Sequence, residues 1–188
     1  MSTDLQDRVA LRELNERLAA ANKFDLDALM LNRQGILAPA QIKLMYTRLK
    51  WLGFLFLALI GIGIYQYTKN GFADKTALLI VYLFLTGYIG YNFITALKNT
   101  SAKRVESVEG IGFSEYETET DLDRDDKETT YYYRIGATRF LVKSEEAYDA
   151  LINNLKYRAY FLPQSKTLIN IEALQAPKSQ SEQERNAQ

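Results

Sequence analysis

Two long uncharged apolar blocks constrain this chain more than any other feature. Residues 51–67 read WLGFLFLALIGIGIYQY and residues 77–97 read ALLIVYLFLTGYIGYNFITAL, and neither block contains a charged residue. As helices they would span roughly 25 and 31 Å, against a membrane hydrocarbon core of about 30 Å. The alternative is two buried helices of a soluble core, but a domain of this size rarely places two such stretches so close together. The blocks therefore predict a hairpin of two transmembrane helices.

The first block is expected to be an uncleaved anchor. About fifty mostly polar residues precede it, and no small-residue cleavage site follows it, so it does not resemble a signal peptide. Pro39 suits the first turn of a helix, and no helix breaker separates it from the apolar block. We expect one long helix from about Pro39 to Tyr67 and assign residues 39–98 to the hairpin region.

Basic residues beside the two blocks predict the orientation of the hairpin. Two bases, Lys69 and Lys75, lie in the connection between the blocks. Six lie on the outer flanks, namely Lys43, Arg48, Lys50, Lys98, Lys103 and Arg104. Because cytoplasmic flanks are enriched in Lys and Arg, both termini are predicted to be cytoplasmic. We expect a two-pass protein of a bacterial cytoplasmic membrane.

Few polar residues interrupt the two blocks. Proton relays and ion-coupled transporters usually need ionisable groups inside the membrane, and these blocks have none. Asn92 is expected to hydrogen-bond between helices, and Gln66 lies near the interface. Thr86 and Gly90 form a small-residue pair that allows close helix packing, either within the hairpin or between copies of the chain.

Composition excludes several chemistries. The chain has no Cys and no His, so it has no disulfide, no thiolate or imidazole catalyst and no zinc site built on these side chains. Its 23 bases balance 23 acids, which argues against a nucleic-acid partner. No phosphate-binding loop or nucleophile motif is present. We expect no enzyme activity and no catalytic, cofactor-binding or metal site.

Residues 1–38 are predicted to form a cytosolic helical arm. Its first helix carries an apolar stripe at helical spacing, formed by Leu11, Leu14, Leu18 and Ala21. This stripe can pack on the rest of the chain or bind a partner, and the sequence does not distinguish the two. A second short helix is expected from about Asp25, ending before Gly35.

Residues 99–175 are predicted to form a small α+β domain. Residues 105–120 and 129–142 read as strands, with Gly136 marking a bend, a bulge or a tight turn that divides the second stretch. Ser144 is a good N-cap for a short helix, and two further strands flank the turn at residues 163–165. The predicted order is β-β-α-β-β, as a small barrel or a curved sheet. Residues 176–188 are expected to be a disordered tail.

The connection at residues 117–128 is strongly acidic. Asp121, Asp123 and Asp125 mimic the opening of a calcium loop, but Asp126 replaces the required Gly and Tyr132 the required Glu. A charged hairpin loop is therefore the better interpretation.

The layout resembles uncharacterised bacterial membrane proteins in which a transmembrane helix pair precedes a small β-rich cytosolic domain. The resemblance lies in the order of elements and in residues 157–174, which read YRAYFLPQSKTLINIEAL. It implies an architecture and no activity.

These patterns favour a structural, scaffolding or accessory subunit of a membrane assembly, in a homo-oligomer or a complex. One alternative is an oligomeric pore lined by Thr86, Asn92 and the span tyrosines. Another is a β domain that senses a lipid or small ligand.

Overall fold

The computed structural model describes residues 3–70, 76–120 and 127–177, and these divide into two compact units. One unit is helical and covers residues 37–104. The other combines residues 1–36 with residues 105–188. The N-terminal arm and the β-rich region, expected as separate regions, thus belong to one unit.

The helical unit contains two long helices, α3 (Pro39–Asn70) and α4 (Thr76–Ala102). Helix α3 begins at the proline that the sequence indicated and runs without a break through the first apolar block. Both helices are long and apolar enough to cross a membrane. None of the first candidate span and 6% of the second is buried within the protein.

The unit of residues 1–36 and 105–188, which we call the mixed unit because it contains helices and strands, is built on five strands. The strands are β1 (Glu106–Thr120), β2 (Lys127–Ile135), β3 (Thr138–Val142), β4 (Lys156–Phe161) and β5 (Leu168–Ala173). They form an open antiparallel sheet in the order β3-β2-β1-β4-β5. Three helices belong to the same unit, namely α1 (Thr3–Asn22), α2 (Asp27–Arg33) and α5 (Glu145–Ala150). The sheet has two edge strands, β3 and β5, and is therefore open. Of the two predicted alternatives, the curved sheet fits this architecture and the barrel does not.

The predicted strand order lacks β3. Residues 129–142 form two strands because Gly136, at φ +59°, and Ala137 make a two-residue turn between Ile135 and Thr138. A left-handed backbone conformation of this kind costs a glycine little. The tight turn was one of the alternatives that the sequence left open at Gly136.

Strand β1 is shared between two halves of the sheet. Its first half pairs with β4 as far as Ile111, and its second half pairs with β2 from Gly112 onward. A Cβ atom at Gly110 would lie 2.5 Å from the Gly136 amide nitrogen, and one at Gly112 would lie 2.4 Å from the Tyr157 ring. A side chain at either position would collide with these neighbouring residues, so both positions require glycine.

The hydrophobic core lies on one face of the sheet, under α1 and α5. Leu14 and Leu18 of α1 are buried there, with Leu11 and Ala21 packed beside them. The apolar stripe of the arm thus packs on its own chain. Sheet residues complete the core, including Tyr133, Ile135, Phe140, Tyr157, Ala159, Phe161 and Ile171.

Side chains close the outer edge of β5. The Asn15 amide of α1 accepts a hydrogen bond from the Ala173 backbone N–H at 2.7 Å, and the Asn170 side chain accepts one from the Ile171 N–H at 3.0 Å. These amides occupy backbone groups that another strand would otherwise pair with.

The Ser144 cap predicted for α5 is confirmed, whereas α2, expected to begin near an Asp25 cap, begins at Asp27 with Leu26 as its N-cap residue and has no side-chain cap. The Ser144 hydroxyl accepts a hydrogen bond from the Ala147 N–H and so caps α5. The Asp25 carboxylate accepts one from the Asp27 N–H at the start of α2. Gly35, after α2, has φ +76°.

Candidate functional site

Glu172 is a buried carboxylate on the sheet face opposite the core. Strand alternation directs Ile171 and Ala173 into the core and Glu172 to the other face, where only 2% of the residue is exposed. The Tyr160 hydroxyl, on the neighbouring strand, donates a hydrogen bond of 2.5 Å to Glu172 Oε1.

Two arginines complete the surroundings of Glu172. Arg33 of α2 binds with its Nε 3.1 Å from Oε2 and with its Nη2 on the same oxygen. Arg158 of β4 places Nη1 3.4 Å from Oε1 and also donates from Nε to Glu109 Oε1 of β1 at 2.8 Å. The network thus joins α2 to three strands.

Electrostatics follow from these contacts. The hydrogen bond to Glu172 raises the pKa of Arg33, and hydrogen bonds with Tyr160 and Glu109 raise the pKa of Arg158. Burial, and then the hydrogen bond to Glu172, raises the pKa of Tyr160. The arginines remain cationic and Tyr160 neutral at any physiological pH.

The Glu172 network is suited to holding elements together. Four donors from three side chains converge on the two carboxylate oxygens, so no acceptor position is left for a substrate proton. The arrangement fixes α2 to the sheet and does not resemble a general acid or base.

The same sheet face continues over β1, β2 and β3 as a surface of half-buried and exposed side chains that we call the charged ladder. The ladder consists of Phe113, Glu115, Glu117, Tyr132, Arg134 and Arg139. The guanidinium of Arg139 lies 3.9 Å from the centre of the Tyr132 ring, and that of Arg134 lies 4.6 Å from the centre of the Phe113 ring. Such stacking holds long side chains flat on the sheet.

Glu115 and Glu117 bind the two arginines of the ladder. Arg139 Nη1 lies 2.8 Å from Glu117 Oε1, and Arg139 Nε lies 3.2 Å from Glu115 Oε2. The hydrogen bond from Arg139 holds the pKa of Glu117 below its usual range. Leu141, 64% exposed, lies on the same sheet face. Ordered arginines and aromatic rings beside an exposed leucine are typical of protein-contact surfaces.

Tyr82 makes a hydrogen bond between the helices of the hairpin. Its hydroxyl donates to the Leu59 carbonyl at 2.7 Å. The prediction that Asn92 bonds between helices is wrong, since its amide donates to the Tyr88 carbonyl of its own helix at 2.8 Å. Asn92 follows Tyr88 by one helical turn, which puts that carbonyl within reach of a short side chain.

Close packing in the hairpin uses glycines of both helices. A Cβ atom at Gly90 would lie 3.1 Å from the Phe56 ring, and one at Gly53 would lie 3.2 Å from the Phe93 ring. The Phe56 and Phe93 rings stack with centres 6.1 Å apart. Gly90 therefore packs inside the hairpin, which was one of its two alternatives. Thr86 Oγ1 is buried without a hydrogen-bond partner among the described residues.

No metal centre is found in the described part of the chain, where no three His, Cys, Asp or Glu side chains come together. The calcium-like aspartates Asp121, Asp123 and Asp125 lie outside the described residues, as do residues 178–188 of the predicted tail.

Comparisons of this chain with family models, with curated proteins and with solved structures found no match.

Proposed function

We propose that this chain is a non-enzymatic integral membrane protein that serves as a structural, scaffolding or accessory subunit of a membrane assembly. The proposal rests on the exposed apolar surface of the helical unit, whose two candidate spans are 0% and 6% buried. A surface of this size needs an apolar environment, which a bilayer supplies. The mixed unit has its own core and needs no such cover.

The division of the chain supports a two-pass topology. The mixed unit contains residues from before and after the hairpin, and its Val105 N–H donates to the Gly35 carbonyl at 2.9 Å. Both segments must lie on the same side of the membrane to fold together, so the number of spans between them is even. The basic flanks of the hairpin favour the cytoplasm as that side.

The charged ladder supplies the binding role in this proposal. Its arginines are ordered before any partner arrives, by Phe113 and Tyr132 beneath them and by Glu115 beside them. Side chains that are already ordered lose less entropy on binding. Leu141 adds apolar area that can be desolvated at the contact.

Cysteine labelling tests the topology. The natural chain has no cysteine, so Lys69→Cys near the end of α3 and Lys143→Cys after β3 introduce unique thiols. In intact cells, a membrane-impermeant maleimide is expected to label Lys69→Cys and not Lys143→Cys, whereas both react after lysis. Labelling of Lys143→Cys in intact cells, or release of the protein by alkaline carbonate, would contradict the proposal.

Site-specific photo-crosslinking tests the binding role. A photoreactive residue at Leu141 is expected to capture a neighbouring chain in native membranes. The matched control is Met30, which is exposed on α2 and lies outside the ladder. Equal capture at both positions would show that the charged ladder is not the binding surface. If the protein were also a lone monomer in mild detergent with no crosslinks at all, the scaffold function itself would fail.

A further inference from the structure

In the hairpin, a hydrogen bond between the two helices satisfies the hydroxyl group of a tyrosine in apolar surroundings. Tyr82 donates to the Leu59 carbonyl, and Gly63 follows Leu59 by one helical turn. A Cβ atom at Gly63 would lie 2.3 Å from the Tyr82 hydroxyl oxygen, so the hydrogen bond depends on the bare glycine. A tyrosine on one helix thus reaches a carbonyl that a glycine on the other helix leaves uncovered.

The opposite side of α4 also combines aromatic residues with a glycine, but these residues are exposed. We call this surface the aromatic stripe. It consists of Phe84, Gly87, Tyr88 and Tyr91, whose spacing of three, one and three puts them on one helical face. Phe84, Tyr88 and Tyr91 are 78%, 69% and 70% exposed. A Cβ atom at Gly87 would meet nothing within 4 Å.

The hydroxyls of Tyr88 and Tyr91 have no hydrogen-bond partner among the described residues. In the uncharged block 77–97, Tyr88 lies near the middle with roughly 15 Å of helix on either side, and the side chain of Tyr91 leans from the next turn toward the same depth. At that depth a bilayer offers neither water nor headgroups, so the hydroxyls are satisfied only by protein.

We propose that the aromatic stripe of α4 is the interface through which a second copy of this chain binds. The inference rests on the proposed membrane function and deepens it by naming the contact surface. Copies inserted with the same topology present parallel α4 helices, so each stripe faces an identical one. Helical side chains lean toward the N-terminus, which brings the Tyr91 hydroxyl to the height of Gly87 in the other copy.

The two copies complement one another at Gly87. Leu83 precedes Gly87 by one turn, as Leu59 precedes Gly63, so the Leu83 carbonyl is uncovered in the same way. Tyr91 of each copy donates to the Leu83 carbonyl of the other. Because donor and acceptor lie on one face of one helix, the fitting partner is a second copy.

Disulfide trapping in native membranes tests the interface, since the chain has no cysteine of its own. Phe84→Cys and Tyr88→Cys, which leave the Tyr91 hydroxyl in place, are expected to form disulfide-linked dimers on mild oxidation. The matched control is Phe54→Cys on α3, where Phe54 is also strongly exposed.

A second measurement leaves the fold intact. Tyr91→Phe removes one hydroxyl from each copy, and thus two hydrogen bonds from the dimer, and is expected to weaken dimerisation in detergent or lipid by roughly 10- to 1,000-fold, twice the free energy of one hydrogen bond between membrane helices. Tyr65→Phe, on an exposed face of α3, is expected to leave dimerisation unchanged.

Crosslinking at Phe54→Cys without crosslinking at the two stripe positions would overturn the inference and leave an oligomeric scaffold standing. An unchanged dimer constant in Tyr91→Phe would likewise overturn the role of its hydroxyl. A protein that is monomeric in membranes and crosslinks to no other chain would overturn both the interface and the proposed function.

Discussion

Glycines in α3 show how one missing methyl group decides the packing of the hairpin. Gly61 and Gly63 are two residues apart in the same apolar block. A Cβ atom at Gly61 would meet nothing within 4 Å, whereas one at Gly63 would collide with Tyr82. The sequence alone does not show which of the two glycines is needed for helix packing.

Gly63→Ala is expected to destabilise the hairpin, because the new methyl group displaces the Tyr82 hydroxyl from the Leu59 carbonyl. Relative to Gly61→Ala, the expected cost is about 0.6–2 kcal/mol, the range for a hydrogen bond between membrane helices. Gly61→Ala is the matched control and is expected to be neutral or stabilising, since alanine favours a helix by up to about 1 kcal/mol over glycine. Thermal unfolding in detergent measures both, and equal effects would contradict the packing described for Gly63.

Two buried tyrosines give the mixed unit a pH dependence. Burial raises the pKa of Tyr133 and of Tyr157 to about 12, against about 10 in the unfolded chain. A folded-state pKa above the unfolded value stabilises the fold below pH 10, and this contribution disappears as the pH rises through 12. Each tyrosine contributes about 2–3 kcal/mol to that loss.

We therefore expect stability to fall between pH 10 and pH 12. The Tyr157 hydroxyl donates to the Ile152 carbonyl at 2.9 Å, so Tyr157→Phe lowers stability at pH 8 and flattens the alkaline loss. Tyr116→Phe, at an exposed tyrosine, should change neither. Denaturant titrations at a series of pH values measure the slope, and an unchanged slope in Tyr157→Phe would contradict the assignment.

At the scale of elements, the attachment of α2 depends on Glu172. The helix has only seven residues, which is too short to be stable by itself. Arg33 anchors its last turn to the buried carboxylate of β5. One of the contacts that hold α2 to the sheet thus joins residues 139 apart in the chain.

Glu172→Gln is expected to destabilise the mixed unit by about 1–3 kcal/mol, because a neutral amide replaces a carboxylate that binds two arginines and a tyrosine. Glu106→Gln is the control, since its pair with Lys166 is exposed and has a separation of 4.0 Å. That change should cost less than about 0.5 kcal/mol. Hydrogen exchange should show faster exchange in α2 for Glu172→Gln alone. Unaltered protection of α2 would show that other contacts hold the helix.

At the scale of the whole molecule, the hairpin is an insertion into a sheet domain. Residues 1–36 and 105–177 share one core, in which α1 covers the sheet with Leu14 and Leu18. The chain leaves this core after Ile36 and returns at Val105, beside Gly35. The hairpin can therefore be removed without breaking the core.

A variant in which a short glycine linker replaces residues 37–104 is expected to be soluble and to unfold cooperatively. The fragment 105–188 is the control, and it should not fold cooperatively because it lacks α1 and exposes the core face of the sheet. Circular dichroism during heating measures both. Equal melting of the two proteins would show that α1 is not part of the core.

Local patterns in the sequence were enough to predict many individual elements. The apolar blocks predicted both long helices, Pro39 the start of α3, Ser144 the cap of α5, and residues 105–120 the long strand β1. Each of these signals depends on residues within a few positions of one another. Helix capping, strand alternation and the need to cover apolar surface act over that range.

The tertiary structure decided which surfaces meet. The stripe of α1 has the same period whether it packs on its own sheet or on a partner, and only the fold brings Asn15 to Ala173, 158 residues away. Likewise Gly63 and Gly61, or Tyr82 and Tyr91, differ only in what faces them. Local patterns in the sequence therefore predicted the helices, four of the five strands and their apolar faces. The partner of each face followed from long-range packing, which leaves no periodic pattern in the sequence.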